Sequence, residues 1–239
     1  MTTKTIHYCW FGGKPKPKLV RKCMESWQKY CPDWEIREWN ESNFDVNCCA
    51  FVREAYAAGK WAFVSDYCRF YALSLFGGVY LDTDVELLRP IDDLPDTFVG
   101  FERKDLVASG LIRGAEANDP VCLEMLEAYH QRHFLLEDGS HCLTVVGELE
   151  TDILKRHGLI MNDSLQTVCG TTVFPREYFA PIDFEQGETN ITEHTYSIHH
   201  YAASWISPWG KFKLKIRSLV GFKLYAVLYR WKHSVKKEK

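Results

Sequence analysis

Two carboxylates one residue apart, Asp82 and Asp84 in Gly77-Gly78-Val79-Tyr80-Leu81-Asp82-Thr83-Asp84, are the groups in this 239-residue chain best suited to hold a divalent cation. Alternate residues of a strand face the same way, so a strand ending here turns both side chains on one point. Two anionic oxygen donors with no thiolates nearby suit a hard ion, Mn²⁺ or Mg²⁺. Such an ion clamps a diphosphate and neutralises charge on a departing nucleoside diphosphate. A bare Asp-x-Asp triplet says little, because solvated loop aspartates are common. Its setting says more: a glycine pair, then a short apolar strand, then the acids.

The elements that must position the pair follow from periodicity. Residues 5–11 are β-branched and aromatic and stop at Gly12-Gly13, which predicts a strand and a loop. Residues 19–30 carry Val20, Cys23, Met24 and Trp27 at helical spacing, and residues 34–39 alternate as a half-buried strand. Strand, helix and strand in succession predict a βαβ unit and a parallel sheet. Residues 50–56 predict a short helix. Residues 63–76 predict a longer one, with Phe63, Tyr67, Phe70, Tyr71 and Leu75 on one side and Gly77-Gly78 as its stop. The acids then fall at the carboxyl end of a strand over residues 79–81, where open α/β sheets bind ligands. Residues 98–101, 110–112 and 195–201 predict further strands, and residues 120–134 a helix. No Gly-x-Gly-x-x-Gly loop is present, so a nucleotide would not use that phosphate cradle.

The net charge of −3 conceals an asymmetry. Residues 211–239 hold ten Lys and Arg against Glu238, a charge of +9 that leaves −12 for residues 1–210. Two domains are expected accordingly: a catalytic body over 1–210 and a basic amphipathic helical extension over 211–239. The extension is too charged to span a membrane, and its aromatic and aliphatic residues suit an interfacial helix on an anionic bilayer. The acidic body argues against nucleic acid as the polyanion. Nine cysteines at irregular spacings, with no Cys-x-x-Cys, point to reduced thiols. Residues 1–8 lack an apolar leader segment, and the expected location is cytoplasmic, peripheral to the inner face of the membrane.

The run Val64-Ser65-Asp66-Tyr67-Cys68-Arg69, then Leu73, then Gly77-Gly78 through Asp84-Val85, resembles the sugar-binding region of glycosyltransferase family 32. That family includes mannosyl- and galactosyltransferases, capsule-synthesis enzymes and, more distantly, large glucosylating toxins. The opening strand around Trp10 and the segment Ile198-His199-His200-Tyr201 with Ser204-Trp205 are similar to its first and last motifs, so the resemblance spans about residues 4–206. It implies a GT-A type fold, a Rossmann-like α/β/α sandwich. It also implies a retaining transfer of a hexose from a nucleotide-sugar donor, UDP-linked before GDP-linked, to a glycan acceptor that could be lipid-linked.

Carried onto this chain, the resemblance makes Asp84 a direct metal ligand and sets Asp82 on the metal, ribose or sugar. It gives Asp66 and Arg69 the donor-sugar hydroxyls, although their i, i+3 spacing equally fits a plain helix ion pair. Trp10, with Tyr8 on the same strand, would meet the nucleotide or else pack in the core. His199 or His200 would complete the metal site. Imidazole suits Mn²⁺ better than Mg²⁺, and adjacent strand residues face opposite ways, so one of the two is expected there, His199 before His200 by the motif's register. Departures at Ser109-Gly110 and Gly147-Glu148 leave the acceptor open. Asp163 is an acceptor-side candidate or a solvated turn. The competing functions are a metal-dependent phosphoesterase and a non-catalytic carbohydrate-binding or partner subunit.

Overall fold

The computed structural model describes residues 3–183 and 188–202. The expected basic extension over 211–239, and Ser204-Trp205, lie outside the described residues.

Strand β1 (Thr5–Cys9) is buried along its whole length, as befits a central strand covered on both faces. Helix α1 (Lys18–Tyr30) leads to β2 (Glu35–Trp39), which pairs in parallel with β1 from Thr5↔Glu35 to Cys9↔Trp39. Then come α2 (Ala50–Ala57), α3 (Trp61–Phe76) and β3 (Gly78–Tyr80), the last parallel to β1 on its other side. The chain continues through β4 (Val85–Leu87), β5 (Phe98–Arg103), β6 (Leu106–Val107) and β7 (Arg113–Ala115). It goes on to α4 (Pro120–His130), α5 (Val146–Arg156), β8 (Gln166–Val168), β9 (Thr171–Phe174), β10 (Ile182–Asp183), β11 (Glu188–Thr189) and β12 (Ser197–His199).

The central sheet runs β2-β1-β3-β7-β5-β9-β8, with β6 alongside β5. Strands β2, β1, β3, β5 and β9 point one way, and β7 and β8 run against them. This is the α/β sandwich with a mostly parallel sheet that was expected. Alternation along the strands divides the core. Ile6, Tyr8, Val79 and Leu81 face the layer holding Trp27 of α1, while Cys9 and Tyr80 face the layer of α2, α3, α4 and α5.

Two sequence expectations are corrected. Helix α3 is not one-sided: Val64, Asp66, Cys68, Arg69, Ala72 and Ser74 are buried along with Phe63, Tyr67 and Phe70, while Leu75 is exposed. The helix runs between the sheet and α2 and α4, so it meets protein on most sides. Residues 109–111 form a turn, and the strand starts at Arg113.

His7 is fully buried on β1. Its Nδ1 accepts from Trp39 Nε1–H at 3.1 Å, since an indole can only donate, so Nε2–H donates to Gly77 O at 2.9 Å. A second proton would set two N–H groups against each other. Burial lowers the pKa from its ordinary 6.5 to about 4. The unfolded chain therefore takes this proton first, and the stability present above pH 6.5 is lost as pH falls towards 4. That loss is about 3 kcal/mol in total, of which about 2 is gone by pH 5. Urea titrations at pH 7 and pH 5 should show the loss in the wild type and a smaller one in His7→Gln. Equal slopes would clear His7 of the effect.

Candidate active site

The site forms at the carboxyl ends of β1 and β3, next to the buried middle of α3. Asp66 and Arg69 project from one helical face, one turn apart, and Arg69 Nη2 meets Asp66 Oδ1 at 2.9 Å. The same Nη2 reaches Asp82 Oδ1 at 3.2 Å, and Tyr80 Oη donates to that oxygen at 3.0 Å. Arg69 also donates to Ser65 O and Ser109 Oγ, each at 3.4 Å, and stacks 4.8 Å from the Tyr80 ring centre. It is 3% exposed. Four of its five N–H donors are used inside the protein, two of them on carboxylates that it clamps together.

Asp82 and Asp84 are not on the strand; β3 ends at Tyr80 and the acids occupy the turn that follows. The turn closes through Val85 N–H to Asp82 O at 3.0 Å, and Asp82 N–H donates to Gly110 O at 3.3 Å. Convergence is thus achieved by a turn and not by strand alternation. Gly110 permits it, because a Cβ there would stand 2.5 Å from Asp82 Oδ2.

The third member arrives from the far end of the described chain. Strand β12 pairs antiparallel with β4, which puts His199 opposite Val85. His199 Nε2 lies 3.0 Å from Asp84 Oδ1, and Asp84 Oδ2 accepts from Ala202 N–H at 2.7 Å. Tyr201, at a left-handed φ of 47°, sets its ring centre 4.1 Å from that of the imidazole, tilted by 50°. Ligand atoms of Asp82, Asp84 and His199 all lie within 4.8 Å of one another. His200 turns away and bonds Glu86 Oε2 at 2.8 Å, an oxygen that also meets Lys22. Of the two histidines, the geometry brings only His199 to the acids.

Electrostatics divide the carboxylates into two kinds. Burial works against the ionised form of Asp84, but the hydrogen bond and charge of His199 and the Ala202 N–H outweigh it and hold the group below its ordinary pKa. Burial likewise works against a charged His199, and Asp84 overcomes it, raising the imidazole. Asp66 goes the other way: burial pushes its carboxyl up to about 7, with Arg69 opposing and Asp82 adding to the rise. Two carboxylate oxygen donors and one imidazole nitrogen, all part-buried, fit Mn²⁺ well and Mg²⁺ less well.

The remaining sequence candidates stand apart from this group. Trp10 follows β1, half-buried, with Nε1–H on Lys14 O at 2.6 Å and the Lys16 ammonium 5.7 Å from its ring centre. Tyr8 is buried against Trp27, and its hydroxyl donates to Glu38 Oε2 at 2.5 Å. Asp163 is half-buried in a bend at a left-handed φ of 55°; its carboxylate accepts from Arg176 N–H at 2.8 Å and pairs with that side chain. The sequence reading put Ser109-Gly110 on the acceptor side and gave no role to Tyr201 or the Ala202 N–H, whereas the structure sets all of them beside the acids. Gly110, a glycine inside a segment read as a strand, was the one available signal, since such glycines mark close approach.

Residues 17–99 match the family described as "Glycosyltransferase sugar-binding region containing DXD motif". That span contains Asp66, Arg69, Asp82 and Asp84, and ends before His199. Among solved structures the chain is similar to the PaToxG glycosyltransferase, with 16% identity, a TM-score of 0.49, and 65% of this chain and 69% of that one covered. It is also similar to a glycosyltransferase involved in the glycosylation of the major capsid of PBCV-1, with 9% identity, a TM-score of 0.45, and coverage of 82% and 94%. No curated protein matches the sequence.

Proposed function

We propose that this chain, a glycosyltransferase with a DXD-type sugar-binding region, is a member of family 32. In this reading it moves a hexose from a UDP-sugar to a glycan acceptor with retention of configuration, in the synthesis of a capsular or other surface polysaccharide. The observation that carries the reading is the convergence of Asp82, Asp84 and His199 beside the buried Asp66–Arg69 pair. Those three residues would hold Mn²⁺, or Mg²⁺ as second choice, and the ion would neutralise charge building on the departing diphosphate.

The rest falls to the chain's own groups. Asp66, with its pKa near neutrality, can accept from or donate to sugar hydroxyls, while Arg69 fixes Asp66 and Asp82 relative to each other. Trp10 offers an aromatic face to the nucleobase at the mouth of β1. Tyr8 supports that strand from within, and His200 acts through Glu86 and not on the metal. The basic segment 211–239 is read as an attachment to the anionic inner face of the membrane, where a lipid-linked acceptor would be elongated. Among the described residues, no helix is long and apolar enough to cross a membrane. Sedimentation with anionic vesicles, compared between the full chain and one ending at residue 210, tests the attachment.

The donor site is tested by thermal shift with a panel of nucleoside diphosphates and nucleotide sugars, with and without Mn²⁺. UDP-sugars are expected to raise Tm only when Mn²⁺ is present, by roughly 5 °C or more at a hundredfold excess over Kd. If no nucleoside diphosphate stabilises the protein in a metal-dependent way, the reading falls.

A further inference from the structure

We infer that Glu150 is a positioning residue of the donor site: from α5 its buried carboxylate fixes the Ser109-Gly110 turn on which Asp82 and Arg69 rest. This rests on the reading of Asp82, Asp84 and His199 as a metal-bound donor site. Glu150 lies in the amphipathic first half of α5, on the side that packs against β6, and is wholly buried. One of its oxygens accepts from Ser109 N–H at 3.0 Å, and the other faces Arg113 Nε at 3.2 Å. Arg113 is as deeply buried, pairs with Asp119 at 3.2 Å, and donates to the backbone oxygens of Phe98 and Gly114. The carboxylate is thereby anchored to β5, β7 and the start of α4.

From Ser109 the connection reaches the acids in two short steps. Ser109 Oγ takes the Arg69 Nη1 contact, and Gly110 O takes Asp82 N–H. The turn has little room to move, since a Cβ on Gly110 would come 2.5 Å from Asp82 Oδ2 and 3.2 Å from Arg69 Nη1. Burial raises the Glu150 carboxyl above its ordinary pKa, and the Arg113 charge, the Ser109 bond and the Arg69 charge oppose that rise. A buried ion pair contributes little net stability when compared with apolar packing. Here its products are a fixed backbone N–H and a fixed turn.

The test uses the full chain, with Mn²⁺ and UDP as probes. Mn²⁺ affinity is read by electron paramagnetic resonance and UDP affinity in Mn²⁺ by calorimetry, both below the melting transition. Glu150→Gln removes the charge facing Arg113 and, where its oxygen keeps the Ser109 N–H, turns an NH₂ group on the guanidinium; it is compared with Phe51→Leu, which loosens the core at α2. Both should melt earlier than the wild type, but only Glu150→Gln should weaken Mn²⁺–UDP binding, by about tenfold or more. Wild-type affinity in folded Glu150→Gln, or an equal loss in Phe51→Leu, would make Glu150 merely structural. If Glu150→Gln does not fold, Arg113→Met with Glu150→Met keeps the core filled without that ion pair. That double variant should bind weakly, and wild-type binding by it overturns the inference. A wild-type protein that binds neither probe instead overturns the donor-site reading beneath it.

Discussion

Asp84→Ala is expected to lower UDP-sugar turnover by about a thousandfold or more, equivalent to about 4 kcal/mol of transition-state stabilisation, while the protein remains folded. The size follows from what Asp84 holds. One oxygen faces His199 and the other takes the Ala202 N–H, so the residue joins the β3–β4 turn to the segment after β12. Its ionised form is favoured by those partners in spite of burial. In the proposed donor site, removal would take away an anionic metal donor and loosen the imidazole that should supply another. The stability cost is smaller, about 1–3 kcal/mol, because one backbone N–H and one ring nitrogen lose their acceptor. Asp84→Asn separates the two effects. It keeps an acceptor for Ala202 N–H but loses the charge, so it should melt close to wild type and require far more Mn²⁺ for any residual turnover. Undiminished turnover in Asp84→Ala at low Mn²⁺ would strip the residue of this role.

The contrast between Asp84 and its neighbours shows how much of the site could be read in the chain. The acids, the helical Asp66–Arg69 spacing and the choice of the first βαβ unit were all visible, because each depends on local spacing or on period. The turn geometry of Asp82 and Asp84 was not. Period-two alternation predicts convergence on a strand, whereas β3 stops at Tyr80 and the backbone turns to meet Gly110 O. The family motif leaned to His199 over His200, but what brings His199 to Asp84 is the antiparallel register of β12 with β4, a pairing across more than a hundred residues that no local pattern encodes. Helix α5 was missed as well. Its apolar face is interrupted by Glu150 and Thr151, which are buried because they bond to Ser109 and Val107 and not because they are apolar. Buried polar residues that serve a backbone elsewhere look like surface positions in a sequence.

The same logic gives the second large effect, at Arg69. The i, i+3 pair with Asp66 would be worth a few tenths of a kcal/mol on an exposed helix, about 0.2–0.5. Here the guanidinium is 3% exposed and bridges Asp66 and Asp82. Arg69→Met fills much of the same volume but leaves two part-buried carboxylates without their cation, and should cost about 3–5 kcal/mol of stability. Donor binding should fall with it, since both carboxylates lose their fixed positions. Arg69→Lys should recover only part of either, because one ammonium cannot reproduce the fork that meets Asp66, Asp82, Ser65 and Ser109. The pH dependence has a definite sign. Burial already raises Asp66 to about 7, above its unfolded value, so its folded-state charge is disfavoured and protonation on acidification relieves it. Without Arg69 that rise grows, and the stability deficit of Arg69→Met should be larger at pH 8 than at pH 6. Urea unfolding of wild type and variant at the two pH values measures it. A deficit under about 1 kcal/mol, or one independent of pH, would return Asp66 and Arg69 to the rank of an ordinary helix pair.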